Sequence, residues 1–378
     1  MNNSKKHSKH IIVTKPNGGR YHRNEWCLIG APCDTIANLC TDINSILQNQ
    51  LNIGYLDEAH QSNGSSEGFE LTHADVINYT IIKNANALPF TQVKNLTHSL
   101  DVLLINGNHY RGEKQIVIID EKKRLSLSKK LDRLTNVKMI IVQKSADEIY
   151  DFIQAHLPMQ TIPIVAIDDK EKIASIIKDD FLQKTPDLFT LILAGGKSTR
   201  MGVDKGSIAY RGIPQREYQA DIANQFCQKT FISITHDQDI VSKYEKLIDT
   251  FADLGPFGGI LSAFRAYPNS AWMTLACDLP YLNEETISLL TKSRNPSKLA
   301  TCFHNPDTGF PEPLITIWEP RAYPVLLNYL GMGYACPRKI LINSNIEELK
   351  LNDCTPLKNV NDPESKNAAL NYINSSKF

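Results

Sequence analysis

Short apolar runs alternate with amphipathic segments along the chain, and this pattern restricts the fold more than any other feature. The runs at 25–31, 102–107, 115–120 and 138–143 are six or seven residues long and rich in valine, isoleucine and leucine. Strands of a parallel sheet are buried on both faces, so they read as continuous apolar runs. The amphipathic stretches between them can supply helices that cover such a sheet. The sequence therefore predicts an α/β fold with mostly parallel sheets.

A second series of the same kind begins after the polar stretch QKTPD at 183–187. Its first run is LFTLIL, and further strands are predicted at 231–235, 272–277, 299–303 and 314–318. Helices are predicted between the strands at 214–228, 238–248, 283–293 and 320–330. Pro214 suits a first helical residue, and Asn283 suits an N-terminal cap. We therefore predict two doubly wound α/β domains, covering residues 1–185 and 186–378.

The overall charge is balanced, which limits the classes of partner. The chain has 378 residues, with 41 basic and 41 acidic side chains. No overall field favours nucleic acid or an anionic membrane, so neither is expected as a partner. The N-terminal MNNSKKHSKH lacks the apolar stretch of a secretory signal, and we expect a cytoplasmic protein. The eight cysteines show no CxxC pair, so we expect reduced thiols and no zinc site.

The segment LILAGGKSTRMGVDKG at 191–206 combines a strand, two glycines and several basic side chains. A buried strand that ends in Gly195 and Gly196 leaves backbone N–H groups that can converge on an anion. Arg200 can bind phosphate oxygens in a bidentate manner, and Lys205 adds a point charge. The segment predicts a phosphate-binding loop. The alternative is a strand-to-helix turn with solvated basic residues.

The pattern LAGGKSTRMGVDK at 193–205 resembles the signature of nucleotidyltransferases that activate small phosphorylated molecules with a nucleoside triphosphate. Its compact RMG-x-D-K form is similar to that of the molybdenum cofactor guanylyltransferases, also called molybdopterin-guanine dinucleotide synthases. The resemblance runs through most of residues 188–378 and implies a Rossmann-like nucleotidyltransferase fold. Its further segments, in the family's order, are FADLGPFGGILSAF, ACDLPYL, GFPEPLITIW, GYACPRKIL and NVNDPES.

The resemblance also implies roles for individual residues. Lys205, Arg200 and Asp278 are expected to be catalytic, and Asp278, which follows an apolar strand, is expected to bind Mg²⁺. Without the resemblance, an aspartate after a strand is more often a cap or turn residue than a metal ligand. The residues expected to bind the nucleotide are Leu193, Ala194, Gly195, Gly196, Lys205, Asp253 and Gly258. Those expected on the acceptor side are Arg338, Asn359 and Asn361. Arg338 could instead form a surface salt bridge.

The reaction that the resemblance implies is transfer of GMP from GTP to molybdopterin, with or without bound molybdenum, with release of pyrophosphate. A phosphate is already a nucleophile, so positioning and charge neutralisation can carry the rate without a general base. Cytidylyl or other nucleotidyl transfer to a small phosphate stays open, because Ser233, Thr235 and His236 stand where the family often carries an asparagine. A non-catalytic nucleotide- or cofactor-binding protein is the alternative from another class.

The first half carries a phosphate-loop position without the phosphate-loop residues. The segment at 25–39, EWCLIGAPCDTIANL, lies between a predicted strand and an amphipathic helix. Counting from Gly30, the positions that need glycine, lysine and Ser/Thr hold Thr35, Ile36 and Ala37. The arrangement resembles the GTP-binding adaptor protein that accompanies the guanylyltransferase and is fused to it in some organisms. The resemblance implies an adaptor-like domain with a degenerate P-loop.

Two interpretations of this first domain remain open. It could be a non-hydrolysing scaffold that docks cofactor-synthesis proteins or molybdoenzyme apoproteins. It could instead bind a different ligand through the NGNHYRG loop at 106–112, where the candidate residues are Asn106, Asn108, His109 and Arg111.

Overall fold

The computed structural model describes residues 19–58, 71–76, 79–84, 88, 90–143, 149–195 and 204–375. The chain divides into two compact units, Met1–Lys184 and Thr185–Phe378, and each has its own sheet. No helix within the described ranges is long and apolar enough to cross a membrane.

The first unit is built on a six-stranded sheet whose neighbours all pair in parallel. The strands are β1 (Glu25–Ile29), β2 (Ile53–Leu56), β5 (Val102–Asn106), β6 (Lys114–Ile119), β7 (Val137–Val142) and β8 (Ile164–Ala166). Their order across the sheet is β2-β5-β1-β6-β7-β8. A separate antiparallel hairpin consists of β3 (Leu71–Val76) and β4 (Tyr79–Asn84).

Helices cover both faces of this sheet. They are α1 (Cys33–Leu47), α2 (Phe90–Thr97), α3 (Arg124–Ser128), α4 (Asp151–His156) and α5 (Lys170–Gln183). The apolar face of α1 and the buried side of α5 pack with Trp26 and Leu28 of β1 in one core. Ile29, which points to the opposite face, packs with residues of α3 and α4 in a second core. This burial on both faces explains why the strand reads as a continuous apolar run.

The second unit has a seven-stranded mixed sheet in the order β11-β10-β9-β12-β14-β13-β15. The strands are β9 (Leu188–Leu193), β10 (Lys229–Ile234), β11 (Glu245–Ile248), β12 (Ala271–Ala276), β13 (Ala300–Asn305), β14 (Phe310–Trp318) and β15 (Glu347–Leu349). Strand β14 runs antiparallel to both β12 and β13, and the other neighbours are parallel.

Helices again lie on both faces of the sheet. They are α6 (Gln215–Ala223), α7 (Pro256–Ala266), α8 (Glu284–Lys292), α9 (Ala322–Gly331), α10 (Pro337–Ile342) and α11 (Pro363–Ser375). Helices α6 and α8 pack into one core, while α7, α9 and α10 pack into the core on the opposite face. The predicted α/β class, with two mostly parallel doubly wound sheets, is confirmed.

The helix predicted at 238–248 is wrong. The segment forms an irregular stretch followed by the edge strand β11, which pairs in parallel with β10. Ile240 and Leu247 have the spacing of one helical face, but they are buried in cores on opposite sides of the sheet. Pro214 is the N-cap of α6 and not its first residue. The cap at Asn283 is confirmed, since its Oδ1 accepts a hydrogen bond from the Thr286 backbone N–H at 2.9 Å.

Candidate functional site

The site lies at the carboxyl edge of the second sheet, where four parallel strands end together. Leu193 is the register partner of both Ser233 and Ala276, and Ile234 is the partner of Ile248. The segments that follow β9, β10, β11 and β12 therefore meet at one edge. Open α/β sheets bind ligands at this edge, in the crevice between such segments.

Asp278, which follows β12, has one satisfied and one unsatisfied oxygen. Its Oδ2 accepts a bond from the Lys205 Nζ at 3.4 Å, and its side chain is 19% exposed. Its Oδ1 is buried and accepts no hydrogen bond from any described residue. A buried carboxylate oxygen without a donor is costly, and a cation ligand would relieve the cost. The geometry thus leaves one carboxylate oxygen for a ligand that the chain itself does not supply.

Lys205 is held beside Asp278 by the turn that precedes it. It begins a short 3₁₀ helix, which Asp204 caps by accepting a bond from the Gly206 N–H at 3.0 Å. Arg216 of α6 donates to the other Asp204 oxygen at 2.5 Å. The Lys205 Nζ also donates to the Asn361 Oδ1 at 2.6 Å. These hydrogen bonds fix the turn and position the ammonium group, while the Lys205 side chain remains 25% exposed.

The backbone around Asp278 is fixed from two sides. On one side, the buried Gln219 of α6 donates its Nε2 to the Ala276 carbonyl at 2.9 Å. On the other, the Val360 N–H donates to the Asp278 carbonyl at 2.8 Å. The segment that carries Asn361 is therefore tied directly to the segment that carries the aspartate.

Asp249, directly after β11, is an inward-facing carboxylate at the same edge. Its Oδ1 accepts bonds from the Phe251 N–H and the Ser262 hydroxyl, both at 2.8 Å. Asp253, in contrast, lies in an exposed turn with a φ of 60°. The structure therefore brings Asp249 to the strand ends and leaves Asp253 in the turn that leads into α7.

The first turn of α7 lies directly on the strand ends. A Cβ at Gly258 would meet the Phe251 carbonyl oxygen at 2.3 Å, and one at Gly259 would meet the Ser233 Oγ at 2.9 Å. Only glycine permits this approach, which brings the N-terminus of an eleven-residue helix to the edge. Helix N-termini favour anions, because their N–H groups lack intrahelical partners.

Leu193, Ala194 and Gly195 form the end of β9 and the turn that follows it. Leu193 and Ala194 are buried and Gly195 is partly exposed. The Gln238 Nε2 donates to the Ala194 carbonyl at 3.2 Å, and its Oε1 accepts from the Thr235 N–H at 3.4 Å. Gln238 thereby links the turns that follow two neighbouring strands.

The predicted acceptor residues occupy different surroundings. The Arg338 Nη2 donates to the Glu312 Oε2 at 3.3 Å, and Asn305 donates to the same oxygen at 3.2 Å. The Glu312 side chain is 3% exposed and that of Arg338 is 34% exposed. Glu312 is near the start of β14, which is antiparallel to β12, so it lies at the same edge as Asp278. Asn359 is exposed.

Two ionisable groups beside Asp278 are neutral at physiological pH. Burial, with Tyr281 and Asp278 nearby, raises the pKa of Tyr210 to about 12. Burial, together with the neighbouring Asp278 and Asp204 carboxylates, also raises the pKa of the Cys277 thiol. Neither group is therefore an anionic ligand at neutral pH.

The structure brings some of the predicted site residues together and does not describe others. Lys205, Asp278 and Asn361 are in direct contact. Gly196 and Arg200 lie outside the described residues. The sequence interpretation missed Asp249 and Gln238. Gln238 lies close behind the apolar run at 231–235 and could have been found from that position, whereas Asp249 follows a segment that was predicted to be a helix.

The first unit has its own cluster at the carboxyl edge of its sheet. The turn after β1 contains Gly30 at a φ of 102°, where a Cβ would meet the Ile118 carbonyl oxygen at 2.3 Å. The NGNHYRG loop after β5 folds onto this turn, and the Asn108 Nδ2 donates to the Ala31 carbonyl at 2.9 Å. Asn106 is fully buried. Arg111 instead pairs with Asp132 at the surface.

A doubly wound sheet with a positioned lysine and aspartate at its carboxyl edge defines a protein of the phosphate-handling α/β class. Residues 190–348 match the family described as the MobA-like NTP transferase domain. This match lies within the second unit and confirms the predicted resemblance to nucleotidyltransferases.

Relatives and solved structures are similar to parts of the chain. A molybdenum cofactor biosynthesis bifunctional protein of Synechocystis sp. is 36% identical over 186 residues, or 48% of this chain. The match spans 53% of that protein, or about half its length. A probable molybdenum cofactor guanylyltransferase of Flavobacterium johnsoniae is 28% identical over 50% of this chain and 93% of its own.

A solved structure, the MobB protein homolog of Bacillus stearothermophilus, aligns at a TM-score of 0.31 and 14% identity, covering 42% of this chain and 99% of its own. A TM-score this low supports no argument about this chain, so the adaptor-like character of the first unit stays a prediction.

Proposed function

We propose that the chain transfers GMP from GTP to molybdopterin, with or without bound molybdenum, and releases pyrophosphate. The observation that carries the proposal is the contact between Lys205 and Asp278 at the carboxyl edge, with one Asp278 oxygen left unsatisfied. The family match and the similarity to the probable molybdenum cofactor guanylyltransferase of Flavobacterium johnsoniae support the reaction type and the substrates.

In the proposed reaction, a terminal phosphate oxygen of molybdopterin attacks the α-phosphorus of GTP. The bond between the α-phosphorus and its bridging oxygen breaks, and pyrophosphate leaves with the electron pair. Lys205 would neutralise charge on the triphosphate and on the departing pyrophosphate, because its ammonium is positioned and partly exposed. Arg200 is proposed for the same role, as the sequence motif implies. The turn at 193–195 and the N-terminus of α7 would hold the nucleotide.

The residues present fit a magnesium ion. Mg²⁺ commonly takes one or two protein carboxylates, and phosphate oxygens and waters complete its octahedral shell. Asp278 offers an unsatisfied buried oxygen. No group of three or more His, Cys, Asp or Glu side chains with metal-site geometry occurs among the described residues. The ion would supply charge neutralisation and in-line orientation of the phosphates.

On the acceptor side, Asn361 and Arg338 are proposed to face the pterin phosphate. Asn361 reaches the site through Lys205. Arg338 is anchored by the buried Glu312, which fixes the guanidinium while about a third of the side chain stays exposed. Asn359 belongs to the same exposed segment as Asn361.

The first unit is proposed to be a scaffold without GTP hydrolysis. Ile36 stands where a P-loop lysine would reach the phosphates, but it is fully buried on the apolar face of α1. The Asn108 side chain also covers the turn after β1. Docking of cofactor-synthesis proteins or molybdoenzyme apoproteins is the role that we propose for this unit.

The test is molybdopterin-dependent pyrophosphate release by the purified chain with Mg²⁺ and each of ATP, GTP, CTP and UTP. Release with GTP alone is expected. Asp278→Asn should abolish the release of pyrophosphate, since the change removes the negative charge of the carboxylate whose Oδ1 is unsatisfied. Asp187→Asn is the matched control, because Asp187 is exposed and precedes β9 at the opposite edge of the same sheet.

Other results would change the proposal in defined ways. Release with CTP would keep the mechanism and overturn the base. Release from the Asp278→Asn variant at the wild-type rate would remove the aspartate from the mechanism. No release with any nucleotide, from a folded chain with intact molybdopterin, would favour a nucleotide- or cofactor-binding protein.

A further inference from the structure

A cysteine, a histidine and a carboxylate form a connected chain at the carboxyl edge of the first unit's sheet. The Cys33 Sγ lies 3.3 Å from the His109 Nε2, and the His109 Nδ1 lies 3.1 Å from the Glu58 Oε2. Asp57 approaches the same ring at 3.9 Å. A nucleophile, a base within hydrogen-bond reach and a third group that orients the base are the components of an activated nucleophile.

Cys33 lies at the start of a helix and near basic side chains. Cys33 is the first residue of the fifteen-residue helix α1, and its side chain is partly exposed. The positive end of a helix dipole and nearby cations stabilise negative charge on sulfur. Lys130 and Arg133 supply such cations, since they donate to the backbone carbonyls of Asn108 and Gly107 in the loop that carries the histidine.

The loop also places amide groups at the cluster. The Asn108 Nδ2 lies 3.5 Å from the Cys33 Sγ. Asn106 is fully buried, and its Oδ1 accepts a bond from the Asn108 N–H at 3.0 Å. Its buried Nδ2 has no hydrogen-bond partner among the described residues. The loop therefore places the Asn108 amide beside the thiol, and Asn106 fixes the backbone that carries it.

We propose that Cys33, His109 and Glu58 form a nucleophilic thiol site that reacts with low-molecular-weight disulfides. His109 accepts the Cys33 proton, and the thiolate attacks one sulfur of R–S–S–R. The R–S–S–R bond breaks as the Cys33–S–S–R bond forms, and the departing RS⁻ takes the proton from His109. The products are a mixed disulfide at Cys33 and one RSH, so the small disulfide is the oxidant.

A disulfide fits this site better than an acyl group. The Asn108 amide lies between the Ala31 carbonyl and the Cys33 sulfur, so it occupies the side of the sulfur that faces the turn after β1. Both N–H groups of this amide are engaged, one by the Ala31 carbonyl and one by the sulfur, so the amide offers no donor to the oxyanion of a tetrahedral acyl intermediate. Attack on a disulfide needs only a line of approach at the exposed side of the sulfur and a proton relay.

The test is site-resolved mass spectrometry of the full chain after incubation with glutathione disulfide at pH 7. Cys336 is the internal reference, because it is exposed whereas Cys33 is only partly so. Accessibility alone would favour Cys336. The proposal predicts that Cys33 is glutathionylated at least about tenfold faster. Cys27 should not react, since burial raises its pKa to about 11.

Variants show whether the histidine and the carboxylate act. His109→Gln and Glu58→Gln should each slow the reaction of Cys33 by about tenfold without changing that of Cys336. Glu58 is 59% exposed, so its replacement is not expected to disturb folding. His156→Gln, at an exposed position in α4 of the same unit, is the matched control and should have no effect.

Three results would overturn the proposal. The first is faster modification of Cys336 than of Cys33. The second is an unchanged Cys33 rate in both His109→Gln and Glu58→Gln, with folding verified by circular dichroism. The third is acylation of Cys33 by 4-nitrophenyl acetate without reaction with glutathione disulfide, which would replace the substrate class with acyl donors.

Discussion

Replacement of Lys205 by alanine should lower the rate of the reaction strongly and the free energy of unfolding only slightly. In the free protein the Lys205 ammonium pairs with Asp278 at 3.4 Å, and the two side chains are 25% and 19% exposed. Two unit charges at this distance attract by about 5 kcal/mol at an effective dielectric constant of about 20. Desolvation and side-chain ordering offset most of that attraction for a partly exposed pair. The free energy of unfolding should therefore fall by about 1 kcal/mol or less.

The effect on the reaction should be much larger. A preorganised charge that stabilises the transition state is commonly worth about a hundredfold to a thousandfold in rate, or about 2.7 to 4 kcal/mol. Lys205 is preorganised, because Asp204, Arg216 and Asn361 hold its turn and its amine. We therefore expect kcat for GTP-dependent pyrophosphate release to fall by about a hundredfold or more.

The assays are initial rates of pyrophosphate release and urea unfolding of the same preparations. Lys243→Ala is the matched control: Lys243 pairs with Asp221 at 2.7 Å and precedes β11, at the edge opposite the site. It should change neither quantity appreciably. A Lys205→Ala variant that keeps kcat within about threefold of wild type, or a Lys243→Ala variant with an equal loss, would refute the reasoning.

Three further predictions concern charge and packing. Arg338→Met should lower the free energy of unfolding by about 1–3 kcal/mol in urea titrations, because it leaves the buried Glu312 without its cation, and an unchanged value would show that Asn305 alone suffices. Gly258→Ala should cost about 1–3 kcal/mol and weaken GTP binding measured by calorimetry, since the new Cβ would meet the Phe251 carbonyl at 2.3 Å; Gly331→Ala, with nothing within 4 Å, is the control. Burial lowers the pKa of Lys114 from 10.5 to about 8, so between these pH values the unfolded chain binds a proton at Lys114 that the folded chain does not. The stability of the wild type relative to Lys114→Met should therefore rise as the pH increases from about 8 to 10.5. Unfolding midpoints of the two proteins that differ by a constant amount over this range would contradict the prediction.

Most of the sheet could be predicted because its strands are buried on both faces. The six residues of β9 are all buried, as are those of β6 and β12, so apolar runs mark them without any tertiary information. Helices α1 and α8 could be predicted from the sequence equally well, since each buries residues at helical spacing. The apolar pattern of the sequence and the packing agree at these elements, because each face of an element lies entirely in one environment, either the core or the solvent.

The segment around β11 shows where periodicity fails. Ile240, Tyr244 and Leu247 are spaced as on one helical face, and this spacing predicted a helix. In the structure the chain crosses the sheet edge, and Ile240 and Leu247 enter cores on opposite faces. A spacing rule assumes that one face of one element is buried, and an edge strand reached through an irregular segment does not satisfy that assumption.

The site required tertiary information for a related reason. Lys205 and Asn361 are 156 residues apart, and their contact depends on the Val360 N–H reaching the Asp278 carbonyl. The motifs pointed to the individual residues but not to this link. Asp249 was missed, because a polar residue after a short edge strand resembles any other turn residue until the strand is placed beside β10.

The two units place different chemistry at equivalent positions of similar sheets. In the second unit Lys205 follows β9 in the chain, and its partly exposed side chain places the amine beside Asp278. In the first unit the turn after β1 is covered by Asn108, and the nearest reactive group is the Cys33 thiol at the start of α1. The amide at the Ala31 carbonyl and the buried Ile36 both oppose phosphate binding there. A scaffold without GTP hydrolysis, as proposed for the first unit, need not have an inert edge, since the start of α1 carries the Cys33 thiol within reach of His109.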